Sequence, residues 1–374
     1  MAPHTSSDAA RARHPTHNYH SSQSLNLFTH LPDHRSFPST RYAGSKLKLL
    51  DWIWTSVEHL RFDSALDLFG GTGCVSYLLK AKGKQVTFND LLRANHLVGK
   101  ALIQNSSTTL SKDEINYVLQ EHDGIKYDDL IQRTFRGVFF LDHENRWLDI
   151  VAQNIPTLTD HYKQALAYFA LFQAATIKRP YNLFHRANLY MRTAHVNRSF
   201  GNKTTWDKPF RQHFIAAIKQ ANNAVFDNGR ANRALHLDAT EVPTDFDLVY
   251  IDPPYMNRKG VGVDYLDFYH FLEGLSEYTL WPSRIDTTYK HRPYKRRQSP
   301  WCDKRSIHEA FNDIFQRFSR SILVVSYRDN GIPTPGELIE LLQRYKRKVY
   351  EANQTSYKYV LSTSLSKEIL FIAE

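Results

Sequence analysis

Ala65-Leu66-Asp67-Leu68-Phe69-Gly70-Gly71-Thr72-Gly73, running on through CVSYLLKAKG (74–83) to QVTFND (85–90), decides the fold. A short apolar run with one acid, a glycine cluster, and then apolar residues at Val75, Leu78 and Leu79 spell strand, turn and helix. Gly83 closes that helix in the manner of a left-handed cap. Gln85 to Phe88 reads as a second strand, ending at Asn89 and Asp90. Strand, glycine turn, helix, strand, acid is a βαβ unit, and it predicts an α/β fold.

Outward from this unit, RYAGSKLKLLDWIWTSVEHL (41–60) carries Leu47, Leu50, Ile53, Trp54 and Val57 at the spacing of one helical face. Strand patterns return in LHLDA (235–239), in the strong run Phe246 to Ile251, and in Ser321 to Tyr327 and Ile369 to Ala373. Several parallel-type strands separated by helical lengths imply an α/β sheet. Residues 110–224 are polar and aromatic with weaker periodicity, and are expected to be an inserted module between two halves of one domain, 39–109 and 225–374. Residues 1–38 are rich in His, Ser, Thr, Pro and Arg and are expected to be a disordered leader. Six histidines and no arginine-bearing amphipathic face speak against a transit peptide.

The chain has 374 residues, 48 Lys+Arg against 38 Asp+Glu, and a net charge of +10, which fits a polyanionic partner such as nucleic acid. Two cysteines, Cys74 and Cys302, stand in no ligand-like spacing; this excludes zinc fingers and disulfide scaffolds and suits a reducing compartment. No apolar run approaches the roughly 20 residues of a membrane span.

Glycines where a strand turns into a helix let the backbone approach a nucleotide-like ligand, although a tight turn with no ligand has the same residues. The spacing departs from G-x-G-x-x-G and no P-loop Lys-Ser/Thr follows, so neither NAD nor ATP is favoured. Asp90, 17 residues after Gly73, can accept from both hydroxyls of a ribose, or can cap a helix. The sharpest feature is Asp252-Pro253-Pro254-Tyr255, directly after the apolar strand. Two prolines lack backbone donors, so the carbonyls at this strand end stay free to accept from an amine. Asp252 can accept another hydrogen bond, and Tyr255 offers a flat face to a base.

With these residues the chain resembles the Dam-type adenine-N6 DNA methyltransferases, whose hallmark is D-P-P-Y. The resemblance spans roughly residues 38–374: RYAGSK (41–46) looks like the family's first cofactor motif, DLFGGTG (67–73) like its glycine motif, FND (88–90) like its ribose-binding acid, and Asp238 in LHLDA like the contact to the cofactor adenine. It implies a Rossmann-like methyltransferase sheet with the target-recognition module in the insert. It implies S-adenosylmethionine held by Tyr42, Lys46, Asp67, Phe69, Gly70, Gly71, Gly73, Asp90 and Asp238. The target adenine would be flipped from duplex DNA into a pocket closed by Tyr255, since a stacked, paired base cannot present N6. Asp252 and the Pro253 carbonyl would hold the amine. Asp rather than Ser before the two prolines tilts the base toward adenine over cytosine N4. The resemblance further implies a cytoplasmic enzyme of a prokaryote or phage, with a separate restriction endonuclease as companion.

Within the insert, Lys178, Arg179, Arg186, Arg192, Arg198, Asn197 and Lys203 are the expected DNA contacts, a solvated polar face being the alternative. RSFGNKTTWDKPF (198–210) resembles the family's recognition hairpin only loosely. Arg284 to Arg305, with eight Lys+Arg against two Asp, is either a phosphate-tracking segment or a basic loop. An RNA amine, and a binding protein without catalysis, remain alternative readings of the same motifs.

Overall fold

The computed structural model describes residues 36–194, 203–295, 298–352, 355–357 and 366–374. Its strands run β1 (Ser64–Asp67), β2 (Gln85–Asn89), β3 (Arg233–Leu235), β4 (Leu248–Ile251), β5 (Met256–Asn257), β6 (Ile322–Arg328), β7 (Gly331–Ile332), β8 (Val349–Glu351), β9 (Thr355–Tyr357) and β10 (Ser366–Ala373). The main sheet orders them β3-β2-β1-β4-β6-β10-β8, with β9 also paired to β10, while β5 and β7 pair separately. β3, β2, β1, β4 and β6 are mutually parallel. This is the α/β, Rossmann-like sheet expected of a methyltransferase.

β10 breaks the parallel pattern: it is antiparallel to both β6 and β8. The chain between β8 and β10 carries β9, itself antiparallel to β10, so too little of it is left for the dozen or more residues, usually a helix, that a crossover to a parallel neighbour takes. Ile369 to Ala373, expected among several parallel-type strands, is thus antiparallel to its neighbours. β3 also lies earlier than LHLDA, so Leu237 and Asp238 follow the strand rather than end it.

Alternation along the central strands fills two cores. Ala65, Val86, Phe88, Tyr250 and Val324 face one side, and Leu66, Val249, Ile251, Leu323 and Val325 face the other. The second face is covered by helices Ile307–Arg317 and Pro335–Gln343. The first is covered by Leu50–Val57, Cys74–Ala81 and Arg93–Gly99 together with two helices from the 110–224 stretch, His161–Ile177 and Phe210–Ala224. His161–Ile177 buries almost every residue from Ala165 to Thr176 and packs on both Phe210–Ala224 and Arg93–Gly99. The stretch expected as an insert therefore shares its core with the sheet. Phe37, assigned by sequence to the leader, is also buried, 5.3 Å edge-on from Tyr77; residues 1–35 lie outside the described residues.

From β1 the chain steps outward to β2 and β3, while β4 lies on the other side of β1. The carboxyl ends of β1 and β4 sit side by side, with Leu68 N donating to Tyr250 O at 3.0 Å. That reversal of strand order is where open α/β sheets leave a crevice for a ligand. Both sequence motifs emerge there, the glycine turn from β1 and Asp252-Pro253-Pro254-Tyr255 from β4.

Candidate active site

The glycine turn owes its shape to Gly71 (φ +52°) and Gly73 (φ +75°), both in the left-handed region that side chains disfavour. Gly70 N donates to Asn89 O at 2.8 Å, drawing the turn over the end of β2. Asp90 then fixes it: its carboxylate accepts from Gly71 N (2.9 Å), Leu92 N (2.8 Å) and Asn95 Nδ2 (3.1 Å). Burial raises the Asp90 carboxyl above the ordinary carboxylate range. Asp67, at the end of β1, accepts from Ser76 Oγ at 2.7 Å, and burial pushes its carboxyl up to about 7.

Between the two motifs lies a cavity of about 390 Å³, within the roughly 300–1,000 Å³ usual for small-molecule sites. Tyr42–Lys46, the glycine turn, Asp90–Asn95, Leu237–Ala239, Asp252 with Pro254, and Val263–Leu266 with Ser299–Cys302 supply most of its wall. Tyr42 is held between Tyr269 (4.2 Å, 10°) and Tyr265 (5.5 Å, 6°), and its hydroxyl accepts from Asn95 Nδ2 at 2.9 Å. The wall is acidic: Asp67, Asp90, Asp238, Asp252, Asp264 and Glu273 face Lys46 and Arg284. Two of these acids are spent on helix ends. Glu273 accepts from Arg93 N and Ala94 N, both at 2.9 Å, and Asp264 accepts from Leu266 N at 2.9 Å. The remainder favours a cationic nucleoside and opposes a polyphosphate, a donor set that fits S-adenosylmethionine.

At the end of β4, Asp252 sits in a buried ionic cluster. Lys46 Nζ donates to its two oxygens at 2.7 and 2.6 Å, and Tyr255 Oη to Oδ1 at 2.5 Å. Glu368 of β10 approaches from behind: its Oε1 is 3.4 Å from Lys46 Nζ, accepts from Ser326 Oγ at 2.8 Å, and lies 2.8 Å from Tyr255 Oη, whose single proton the two carboxylates share. Burial raises the Asp252 carboxyl; the Lys46 ammonium pulls it back down and Glu368 pushes it up. Lys46, expected to serve the cofactor, thus pairs with Asp252. Tyr255 was expected to present a flat face to a base. Its ring is instead 7% exposed, edge-on to Tyr327 at 5.3 Å, because its hydroxyl is drawn inward to the two carboxylates. The aromatic residues that line the cavity are Phe69, Trp301, Tyr42, Tyr265, Tyr250 and Tyr294. No local signal pointed to Glu368, which lies 113 residues from Tyr255.

The expected DNA contacts divide. Lys178, Arg179 and Arg192 are buried and cannot reach a duplex. Arg192 grips Glu144 with two 2.8 Å bonds, Lys178 Nζ lies 2.8 Å from the same carboxylate, and Arg179 bonds the carbonyls of Leu183, Phe139 and Arg186 while stacking 4.3 Å over Phe139. Arg186 and Lys203 are exposed, Lys203 lying 3.8 Å from Asp207. Asn197 and Arg198 lie outside the described residues. In the basic Arg284–Arg305 stretch, Trp301 is a cavity wall packed edge-on to Phe69 at 5.0 Å. Among the described residues, no helix is long and apolar enough to cross a membrane.

The chain is similar over most of its length to several curated methyltransferases. It is 27% identical over 352 residues to the Type II methyltransferase M2.HphI of Haemophilus parahaemolyticus, covering 90% of this chain and 98% of that protein. It is 26% identical to the Type II methyltransferase M.NlaIII of Neisseria lactamica, covering 85% and 91%. To the Type II methyltransferase M.CviAII of Paramecium bursaria Chlorella virus 1 it is 24% identical, covering 86% and 93%. Residues 42–329, from the Tyr42 wall of the cavity to the end of β6, match a single family along their whole run. With both motifs meeting at one acidic crevice, this chain belongs to the D12 class N6 adenine-specific DNA methyltransferase family.

Proposed function

We propose that the enzyme transfers a methyl group from S-adenosylmethionine to N6 of adenine at one short sequence in duplex DNA, and that it protects those sites from a separate Type II endonuclease. We place it with the Dam-type branch on motif order: RYAGSK, then the glycine motif, then DPPY. The observation that carries the reading is the position of Asp252, a half-buried acceptor at the end of β4 on the wall of an acidic, nucleoside-sized cavity. Relatives named as Type II methyltransferases support the restriction role.

In this reading Asp90 and Gly71 meet the ribose, Asp238 the adenine of the cofactor, and Asp67 its cationic amino acid end, with Tyr42, Phe69, Gly70 and Gly73 shaping the wall. The bound cofactor supplies a methyl group on a sulfonium, an electrophile that needs no covalent enzyme intermediate. Asp252 and the Pro253 carbonyl accept the two N6 hydrogens, which aims the nitrogen lone pair along the attack line. As N6 acquires the methyl it must lose a proton, and Asp252, with its carboxyl raised, takes that proton at a carboxylate oxygen and passes it to solvent. Tyr255 leaves its inward station to cover the flipped base beside Pro254. Arg186 and Lys203, with Asn197 and Arg198, contact the duplex.

The test is transfer of labelled methyl to unmethylated genomic DNA, followed by nucleoside analysis and mapping. N6-methyladenine at one short motif is expected; label in N4-methylcytosine, or in RNA alone, refutes the reading.

A further inference from the structure

We propose that Glu368 is a positioning residue: it takes the Lys46 ammonium off Asp252 when the substrate amine arrives. This rests on the amine-methylating reading above. In the structure Asp252 is already engaged. Lys46 Nζ sits 2.7 and 2.6 Å from its two oxygens and Tyr255 Oη 2.5 Å from one of them. An ammonium donates N–H bonds as an exocyclic amine does, so Lys46 competes with the incoming amine for both Asp252 oxygens, and its displacement frees them.

Where it moves is constrained by burial. Lys46 is 3% exposed, and a buried cation removed from its partner bears a large desolvation penalty. Glu368 provides the second station. It is fully buried on β10, held by a bond from Ser326 Oγ at 2.8 Å and by the Tyr255 hydroxyl it shares with Asp252 at 2.8 Å, and its Oε1 is 3.4 Å from Lys46 Nζ. Closing that gap to a charge-assisted hydrogen bond takes about 0.5–0.7 Å, a displacement that the four-carbon stem of lysine accommodates by rotation. One cation thus has two acids, one that must be freed for chemistry and one that touches no wall of the cavity. Tyr255 bridges both acids, so its release toward the base and the transfer of Lys46 are coupled. With the cation on Glu368, both Asp252 oxygens become available to the amine while the buried Lys46 ammonium keeps a carboxylate partner.

The experiment compares wild type, Glu368→Gln, Lys46→Met and the double variant in steady-state methylation of a duplex carrying the recognition site, with cofactor affinity measured separately. Glu368→Gln keeps the shape and removes the charge that receives Lys46. We expect kcat to fall about 10- to 100-fold with cofactor affinity unchanged. In the Lys46→Met background there is no cation to relocate, and the same substitution should cost less than about threefold. Equal losses in both backgrounds, or a parallel loss of cofactor affinity, would mean that Glu368 is merely structural and would overturn the proposal. If Glu368→Gln does not fold, Glu368→Asp, which withdraws the charge by one methylene, takes its place with the same expected split. A wild type silent on all DNA defeats the underlying reading; an active wild type with full kcat in Glu368→Gln defeats this inference alone.

Discussion

Gly99→Ala should destabilise the protein although it adds a single methyl group to a helix. A Cβ on Gly99 would lie 2.3 Å from Phe88 Cδ1 and 2.7 Å from Cε1, where ordinary carbon contacts need about 3.5–4.0 Å. The ring would have to retreat by more than about 1 Å. It cannot do so freely, because Gly70 presses on its other edge so closely that a Cβ there would lie 2.1 Å from Cε2. Phe88 is therefore clamped between two glycines, one in the glycine turn after β1 and one in the helix Arg93–Gly99. Overpacking of a fully buried ring costs about 1–3 kcal/mol, and the clamp puts this case in the upper half. The better helix propensity of alanine offsets about 1 kcal/mol, leaving a net loss of about 1–2 kcal/mol. Urea unfolding reads this as a lower midpoint at unchanged slope. Gly336→Ala is the internal control: a Cβ there meets nothing within 4 Å, so the same substitution should be neutral or stabilise by up to about 1 kcal/mol. Phe88→Leu in the Gly99→Ala background should recover part of the loss by shortening the clamped side chain. A Gly99→Ala protein as stable as wild type, or no recovery with Phe88→Leu, would refute the reasoning.

Three further outcomes follow from the site. Asp252→Ala should bind S-adenosylmethionine as wild type does while turnover falls at least about 10- to 100-fold, because a charged acceptor for the attacking amine is lost; full turnover would remove Asp252 from the mechanism. Asp67, with its carboxyl pushed up to about 7 against an ordinary value of about 3.9, must ionise to face a cationic ligand, so calorimetric cofactor affinity should fall as pH drops through about 7, and Asp67→Asn should flatten that dependence. Stability carries the opposite sign: the folded protein binds this proton more tightly than the unfolded chain, so the ligand-free wild type should lose stability as pH rises from about 4 to 7, and Asp67→Asn should lose less. Arg192→Ala takes two bonds from the buried Glu144 and leaves it Lys178 as cation, so it should cost about 1.5–3 kcal/mol in denaturant, whereas Arg186→Ala should leave stability within about 0.5 kcal/mol and weaken DNA binding with a reduced salt slope; the reverse pattern would show that burial had been misread.

What was legible in the sequence is what short stretches of chain determine. Apolar alternation, the glycines and the two prolines gave β1, β2, β4, β6 and the crevice where their motifs meet, because strand, turn and loop geometry are set within a few residues. Charge was misread wherever its partner was distant. Lys178 and Arg192 look like a nucleic-acid surface until Glu144, more than 30 residues earlier, is brought beneath them. Arg179 answers to backbone carbonyls, which no sequence displays. Glu368 reaches the site only because β10 inserts antiparallel between β6 and β8, a pairing that depends on the whole sheet. Tyr255 was found by its motif, yet the direction of its ring follows from that same distant carboxylate.

The core shared between the sheet and the helices of residues 110–224 bears on how enzymes of this kind acquire new target sequences. A recognition unit that folded on its own could be exchanged between enzymes at two joints. Here His161–Ile177 and Phe210–Ala224 are part of the scaffold under β1 and β2, so under the proposed placement of the DNA contacts the exchangeable length shrinks to the stretch between them, about residues 178–209. Even that stretch brings Lys178 and Arg192, whose common carboxylate, Glu144, lies upstream of both joints. A chimaera built across these boundaries must bring its own match for Glu144, or bury an acid without a counter-ion beneath the surface it was meant to retarget.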